Sequence, residues 1–279
     1  LILLNGNNLV STPNKNKYRY YFPSGQYRFN KGDRVGLQSL IIPYSWYNIT
    51  STFNNNKFQY TWWNGITYDV NIPNSYMNVN DLNSYLQYTF IQNGHYLVDN
   101  NGNYVYYLTL TYNTTRYAVQ VTSYPLPSSL PSGWTNPNSL TLPSVGVGST
   151  PKLVISSSNS FGDIIGFTSG SYPSTFNTTT QIFISNKTPN GSPVNSVTIL
   201  CNICSNLSIP TTQLYSFTSS NTSFDSNIQV QPSQLSLIDI TDSSYPYVEV
   251  SFVDDEFNDL VINDSNLTIV LVVKSSTEN

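Results

Sequence analysis

The 279-residue sequence predicts an all-β fold in which two separated runs of strands close one sandwich around an insertion. Three observations predict it. In residues 33–42, DRVGLQSLII, Val35, Leu37 and Ile41 fall on one face and Arg34, Gly36 and Gln38 on the other, the period of a half-buried strand. Near the C terminus, 197–203, 214–217, 235–240, 247–252 and 267–273 are five strand candidates separated by turn residues. Charged residues make up only 9% and aromatics 14%, with 22 Tyr, which suits strands whose exposed positions are polar but uncharged.

Taken in order, residues 1–30 are short patches broken by Pro13 and Pro23, read as an N-terminal arm carrying one short strand at 18–22. Their Tyr and Phe density argues against a disordered leader. The 33–42 strand stops at Pro43, which cannot donate to a ladder, and gives way to Tyr44, Trp46 and Tyr47, expected to plug one end of the barrel. Phe58, Tyr60 and Trp62, a turn at Asn64-Gly65, then Ile66, Tyr68, Val70 and Ile72 form a hairpin signal. Residues 31–72 therefore supply three strands and residues 192–279 five. Eight antiparallel strands wound as a double Greek key make a single jelly-roll β-sandwich, with the first part as strands B to D and the second as E to I.

The insertion, 73–191, is mixed and mainly β. Val79, Leu82, Leu86 and Phe90 at helical spacing, Asn78 with Asp81 as a capping box and Gly94 as C-terminal stop predict one short helix. A tyrosine-rich ribbon follows: Leu97-Val98, an Asn101-Gly102 turn, 104–112, and Tyr117, Val119 and Val121. Pro, Ser and Gly dominate 124–150, read as an extended surface loop. In the last strand, Val270 and Val272 make the second face nearly as apolar as the first, so the arm, the insertion or a neighbouring subunit should cover it.

Composition excludes several functions. A net charge of −4, with only 11 Lys and Arg scattered along the chain, argues against direct nucleic-acid binding. No stretch reaches the roughly 18 apolar residues of a membrane-spanning helix. Cys201-Asn-Ile-Cys204 resembles a redox or zinc motif, but within a strand its sulfurs would point to opposite faces and should not meet, so a buried structural pair is expected. His95 follows a helix-ending glycine without a nucleophile motif. Asp254, Asp255, Glu256, Asp259 and Asp264 match no EF-hand spacing and read as a solvated or inter-subunit loop, and 99–103 as a turn. About nine N-x-S/T sites are what an Asn-, Ser- and Thr-rich chain yields by chance. No catalytic residue, cofactor or metal site is expected, and the chain is read as not an enzyme.

Several segments carry a resemblance in the same order along nearly the whole chain: Tyr20 to Gly25 (YYFPSG), LQSLIIPYSWYNIT from Leu37, Asn54 to Phe58, Asp81-Leu82-Asn83 and YPLPSSLPSGW from Tyr124. Phe161 to Phe167, Pro193 to Ser196, Phe252-Val253-Asp254 and LTIVLVVK from Leu267 continue it. Together these resemble the minor capsid, or penton, protein of virophages and related polinton-type viruses, with Asp255-Glu256 as an acidic departure.

The resemblance implies the jelly roll and a structural role: a homopentamer at the five-fold vertices of an icosahedral capsid enclosing double-stranded DNA, made in the host cytoplasm and located in the virion. It also implies contact with trimers of a double jelly-roll major capsid protein and an outward-facing insertion. A five-membered ring needs head-to-tail interfaces between two different patches. The candidates are the loops carrying Tyr44, Trp46 and Tyr47 and those carrying Phe252, Asp254, Asp255, Phe257 and Asp264. The alternative is a β-sandwich adhesion or carbohydrate-binding domain using Trp62, Trp63 or Trp134.

Overall fold

The computed structural model describes residues 1–220 and 222–276, and strands dominate it as expected. In chain order they begin β1 (Ile2–Asn5), β2 (Lys17–Tyr21), β3 (Tyr27–Phe29), β4 (Arg34–Pro43), β5 (Lys57–Thr61) and β6 (Thr67–Asn71). After helix α1 (Val79–Asn93) come β7 (Leu97–Val98), β8 (Tyr104–Val105), β9 (Leu108–Asn113), β10 (Ala118–Ser123) and β11 (Lys152–Ile155). Helix α2 (Phe161–Ile165) precedes β12 (Gly170–Tyr172), β13 (Gln181–Ile184), β14 (Val197–Cys201), β15 (Gln213–Phe217) and β16 (Asn227–Val230). The last four are β17 (Ile238–Asp239), β18 (Ser243–Tyr245), β19 (Tyr247–Val253) and β20 (Thr268–Lys274). The chain packs as two units, Leu1–Trp46 with Val194–Asn279, and Tyr47–Pro193.

The first unit holds two larger antiparallel sheets, ordered β1-β20-β4-β16, with β17 also on β4, and β15-β14-β19-β2, and a two-stranded β3–β18 ribbon. Each buries one face. Ile2, Leu4, Leu37, Leu40, Ile228, Ile269 and Leu271 do so in the first sheet, and Tyr18, Ile199, Val248, Val250 and Phe252 in the second. Two sheets that each hide one apolar face form a sandwich. A bulge decides the inner face of β4. Val270 pairs with Ser39 and Leu271 with Leu37, leaving Gln38 as an extra residue. Side-chain parity flips there, so Val35 and Leu37 share the buried face with Leu40 and Ile42, while Ile41, expected on it, is 42% exposed.

The arm is also revised. Residues 1–30 contribute one strand to each sheet, β1 at the edge beside β20 and β2 beside β19. Ile2 and Leu4 alternate with exposed Leu3 over four residues, too short a run to stand out in the sequence. In the tail, only Ile238–Asp239 of the 235–240 candidate pairs with β4, and the partner of β4 at its other end is β16, a polar segment with just two aliphatic residues. The arm lies beside β20 and not over it. Val270 and Val272 on the outer face are half-buried, with Leu3 and Ile41 exposed.

The second unit contains the β5–β6 hairpin, so the chain divides at 46/47 and 193/194 and not at 72/73 and 191/192. The reason is pairing: the free edge of β5 takes β11, with Tyr60 opposite Leu153, and Phe58 stacks on Phe161 at 4.4 Å. The sheet runs β12-β11-β5-β6, beside β13-β10-β9 and the β7–β8 ribbon. Helix α1 has the expected ends: the Asn78 side chain accepts from the Asp81 amide, the Asp81 carboxylate accepts from the Asn78 amide, and Gly94 is left-handed at φ 70°. Its Leu82, Leu86 and Phe90 enter the core. A second helix, α2, was not expected. Its five residues are too few to show a helical period, and Gly166 at φ 74° ends it. Residues 124–150 form the loop expected.

Candidate assembly surface

In the first unit β4 ends at Pro43 and the chain turns through Tyr44, Ser45 and Trp46. The Tyr44 amide donates to the Ser226 carbonyl (2.9 Å), and the Tyr44 ring lies 4.6 Å from Trp46 and 5.8 Å from Phe224. Tyr44 and Trp46 are only 4% and 3% exposed. They plug the interior and do not present a subunit face. Tyr47, half-buried, belongs to the second unit.

The loop after β19 is built around Asp254, whose Oδ1 accepts from the amides of Glu256 (2.9 Å) and Asn258 (2.8 Å). The Asp254 amide donates back to the Asn258 carbonyl (2.9 Å). This turn buries Asp254 and places Phe257 at φ 63°, a conformation that bulky residues rarely adopt, with its ring 47% exposed. Asp255 is tied to Asn195, whose amide and Nδ2 both donate to it at 3.2 Å. Asp259 accepts from Asn16 Nδ2 (3.0 Å) and lies 3.7 Å from Lys17. The Asp264 amide donates to Ser45 Oγ (3.0 Å), and Asn263 Nδ2 donates to the Ser45 carbonyl.

Those last bonds have a consequence for assembly. The 44–46 turn and the 252–264 loop are one continuous patch, not the two different patches a head-to-tail ring requires. Of the eight candidate residues, Asp255, Phe257 and Asp264 are exposed, joined by Val261 at 44%, while Tyr44, Trp46, Phe252 and Asp254 are buried. A second exposed apolar pair, Leu207 and Ile209, follows β14. Thr198 pairs with Val253 while the Asn202 amide donates to the Glu249 carbonyl, so the loop after β14 and the loop after β19 lie at opposite ends of β19. Neither Leu207 nor Ile209 lies in a periodic run, so no pattern in the sequence singles them out.

The other flagged groups are structural. Strand β14 ends at Cys201, and the chain turns so that the Cys204 amide donates to the Cys201 carbonyl (3.1 Å). This turn brings the two buried, free thiols near one another, contrary to the strand reading, and interaction with Cys201 together with burial pushes the Cys204 thiol far above its ordinary value. His95 is buried, stacked on Trp62 at 4.2 Å, with Nδ1 2.9 Å from the Tyr60 hydroxyl; burial pushes its pKa down to about 4. Asp99 accepts from the amides of Asn101 (2.9 Å) and Asn103 (2.8 Å), the turn expected there. Trp62 is 1% exposed, which removes it as a ligand contact, whereas Trp63 and Trp134 are half-buried. Among the described residues no three His, Cys, Asp or Glu converge as a metal site, and no helix is long and apolar enough to cross a membrane.

No family model and no curated protein matches the chain. Among solved structures, the crystal structure of the selenomethionine-labelled mavirus penton protein is similar over 93% of this chain and 91% of that one, with a TM-score of 0.47 and 10% identity. The cryo-electron microscopy structure of the Sputnik virophage is similar over 98% and 96%, with a TM-score of 0.34 and 12% identity.

Proposed function

We propose that this chain is a structural capsid protein, the penton at the five-fold vertices of an icosahedral virophage capsid, acting as a homopentamer and contacting double jelly-roll major capsid trimers. The observation that supports it most is the strand order of the first unit. Lettered B to I, strands β1, β2, β4, β14, β15, β16, β19 and β20 give sheets B-I-D-G and C-H-E-F, the order a double Greek key requires. The second unit is then an insertion between D and E. The letters of the head differ from the sequence reading, which took the 33–42 strand as B and the hairpin as C and D: β1 and β2 take B and C, the 33–42 strand becomes D, and the hairpin pairs in another sheet.

A jelly roll alone does not determine function. The capsid reading adds to it the collinear segments from Tyr20 to the last strand. The exposed Phe257 and Val261 at one end of the sandwich and Leu207 and Ile209 at the other provide two different apolar patches for contacts between copies or with other capsid proteins. Native mass spectrometry and negative-stain imaging of the purified chain, alone and mixed with the major capsid protein, test this. Closed five-membered rings in either sample support it, and strict monomers in both refute it.

A further inference from the structure

In the second unit the inner face of β9 runs on past the helix that covers it. Leu108 and Leu110 enter the core, and the Leu110 amide donates to Asn83 Oδ1 of α1 (2.9 Å). Tyr112 follows on the same face, since side chains two apart in a strand share one, yet it is 40% exposed. Between it and the start of α1 lies a depression of about 440 Å³, within the roughly 300–1,000 Å³ of small-molecule sites. Val79, Leu82, Ile164 and Pro189 give it apolar walls, and no lining residue is charged. Two of its segments are tied together by the buried Asn48. That side chain accepts from the Met77 amide (2.9 Å) and donates to the carbonyls of Met77 (2.9 Å) and Gly191 (2.7 Å), both of which line the depression.

A second exposed ring at this site has no folding reason to be there. Tyr117, also a lining residue, closes the β9–β10 turn at φ 48°, a left-handed conformation that Gly or Asn adopts at less cost than a bulky residue. It is 65% exposed and meets Tyr112 edge-on, the ring centroids 6.0 Å apart and the planes at 81°. The ring gains little burial in return for a strained backbone, the pattern of a side chain kept for contact with something outside the chain. The two tyrosines form an open aromatic corner, and neither hydroxyl has a hydrogen-bond partner among the described residues. The exposed Asn78 uses its Oδ1 to cap α1 and leaves its Nδ2 free beside them. A ligand fitted to this corner has hydrocarbon faces for the rings and hydroxyls for the phenols and the Asn78 amide. A sugar ring has both. A charged ligand would find no counter-charge, an aliphatic one would leave the phenols unpaired, and a prolyl segment stacks on tyrosine but has no N–H to give to a phenol oxygen.

We propose that the depression between the β9–β10 turn and the start of α1 is a binding site for a neutral saccharide, with Tyr117 as the stacking platform and Tyr112 as the flanking ring and hydrogen-bonding group. None of Trp62, Trp63 and Trp134 lines it. The site gives the chain an attachment function separate from assembly, and it does not rest on the penton reading. Saturation-transfer NMR on the full chain with methyl glycosides of glucose, galactose, mannose and N-acetylglucosamine tests it, with sialic acid, a sulfated disaccharide and a proline-rich peptide as competing chemistries. At least one neutral glycoside is expected to bind saturably. Tyr117→Gly, which relieves the positive φ, should leave the melting temperature unchanged or raised yet weaken that binding at least about tenfold. Tyr112→Phe, which removes a hydroxyl bonded to nothing in the free protein, should weaken it about 3- to 10-fold at unchanged melting temperature. Tyr88→Ala, which removes a comparably exposed ring outside the depression, should leave binding as it is. Binding of no neutral glycoside, preference for the charged sugars or the peptide, unchanged affinity in either Tyr117→Gly or Tyr112→Phe, or an equal loss in Tyr88→Ala would overturn the assignment.

Discussion

Acidification should destabilise the second unit through a single side chain. His95 is the only histidine, and its imidazole packs against the rings of Trp62, Tyr60 and Tyr68 rather than carboxylates. Burial lowers its pKa from the ordinary 6.5 to about 4 in the folded protein. Between those values the unfolded chain binds a proton that the folded one refuses, so stability is complete above pH 6.5 and is lost as pH falls towards 4. A drop from 6.5 to about 4, at 1.36 kcal/mol per pH unit, amounts to about 3 kcal/mol. Urea unfolding followed by tryptophan fluorescence between pH 7 and 4.5 measures it, in a background where Trp46 of the first unit is replaced by Phe. A His95→Gln variant, less stable at pH 7, should lack most of this pH dependence, which separates it from general acid effects. An imidazole that titrates near 6.5 in the native protein by NMR, or parallel pH profiles for variant and parent, would refute the reasoning.

Four further outcomes follow from packing. Gly36→Ala should destabilise the first unit by about 1–3 kcal/mol in denaturant titrations, because a Cβ there would lie 2.7 Å from the Ser236 carbonyl oxygen. Phe257→Gly should stabilise it by about 0.5–1 kcal/mol by relieving the positive φ, yet weaken any self-association seen by sedimentation if the exposed ring is an interface contact. Asp254→Ala should cost about 1–3 kcal/mol by thermal unfolding, since two amides lose a buried acceptor. Both thiols should resist alkylation in the native state and react on unfolding, because Cys201 and Cys204 are buried and the Cys204 thiol is held protonated.

How much was legible depended on whether the signal is local. The capping residues of α1 and the Asn64-Gly65 turn are encoded within a few residues, and they sit where the sequence puts them. The site was less legible. Aromatic character marked Tyr44 and Trp46 both as a plug of the barrel and as interface candidates without deciding between the two, and spacing along a strand separated Cys201 from Cys204 until the strand ended early.

By itself, then, the sequence determined the all-β class, the ends of the long helix, the tight hairpin and the continuity of the C-terminal strands, since period, capping and turn chemistry act between near neighbours. Only the tertiary structure decided which strands share a sheet. The edge of β5 is open to either unit in sequence terms, and β11 takes it; four residues at the N terminus become a strand because β20 offers a partner about 265 residues away. Backbone pairing is indifferent to side-chain identity, so the choice of partner, and with it the boundary between sandwich and insertion, is made by packing.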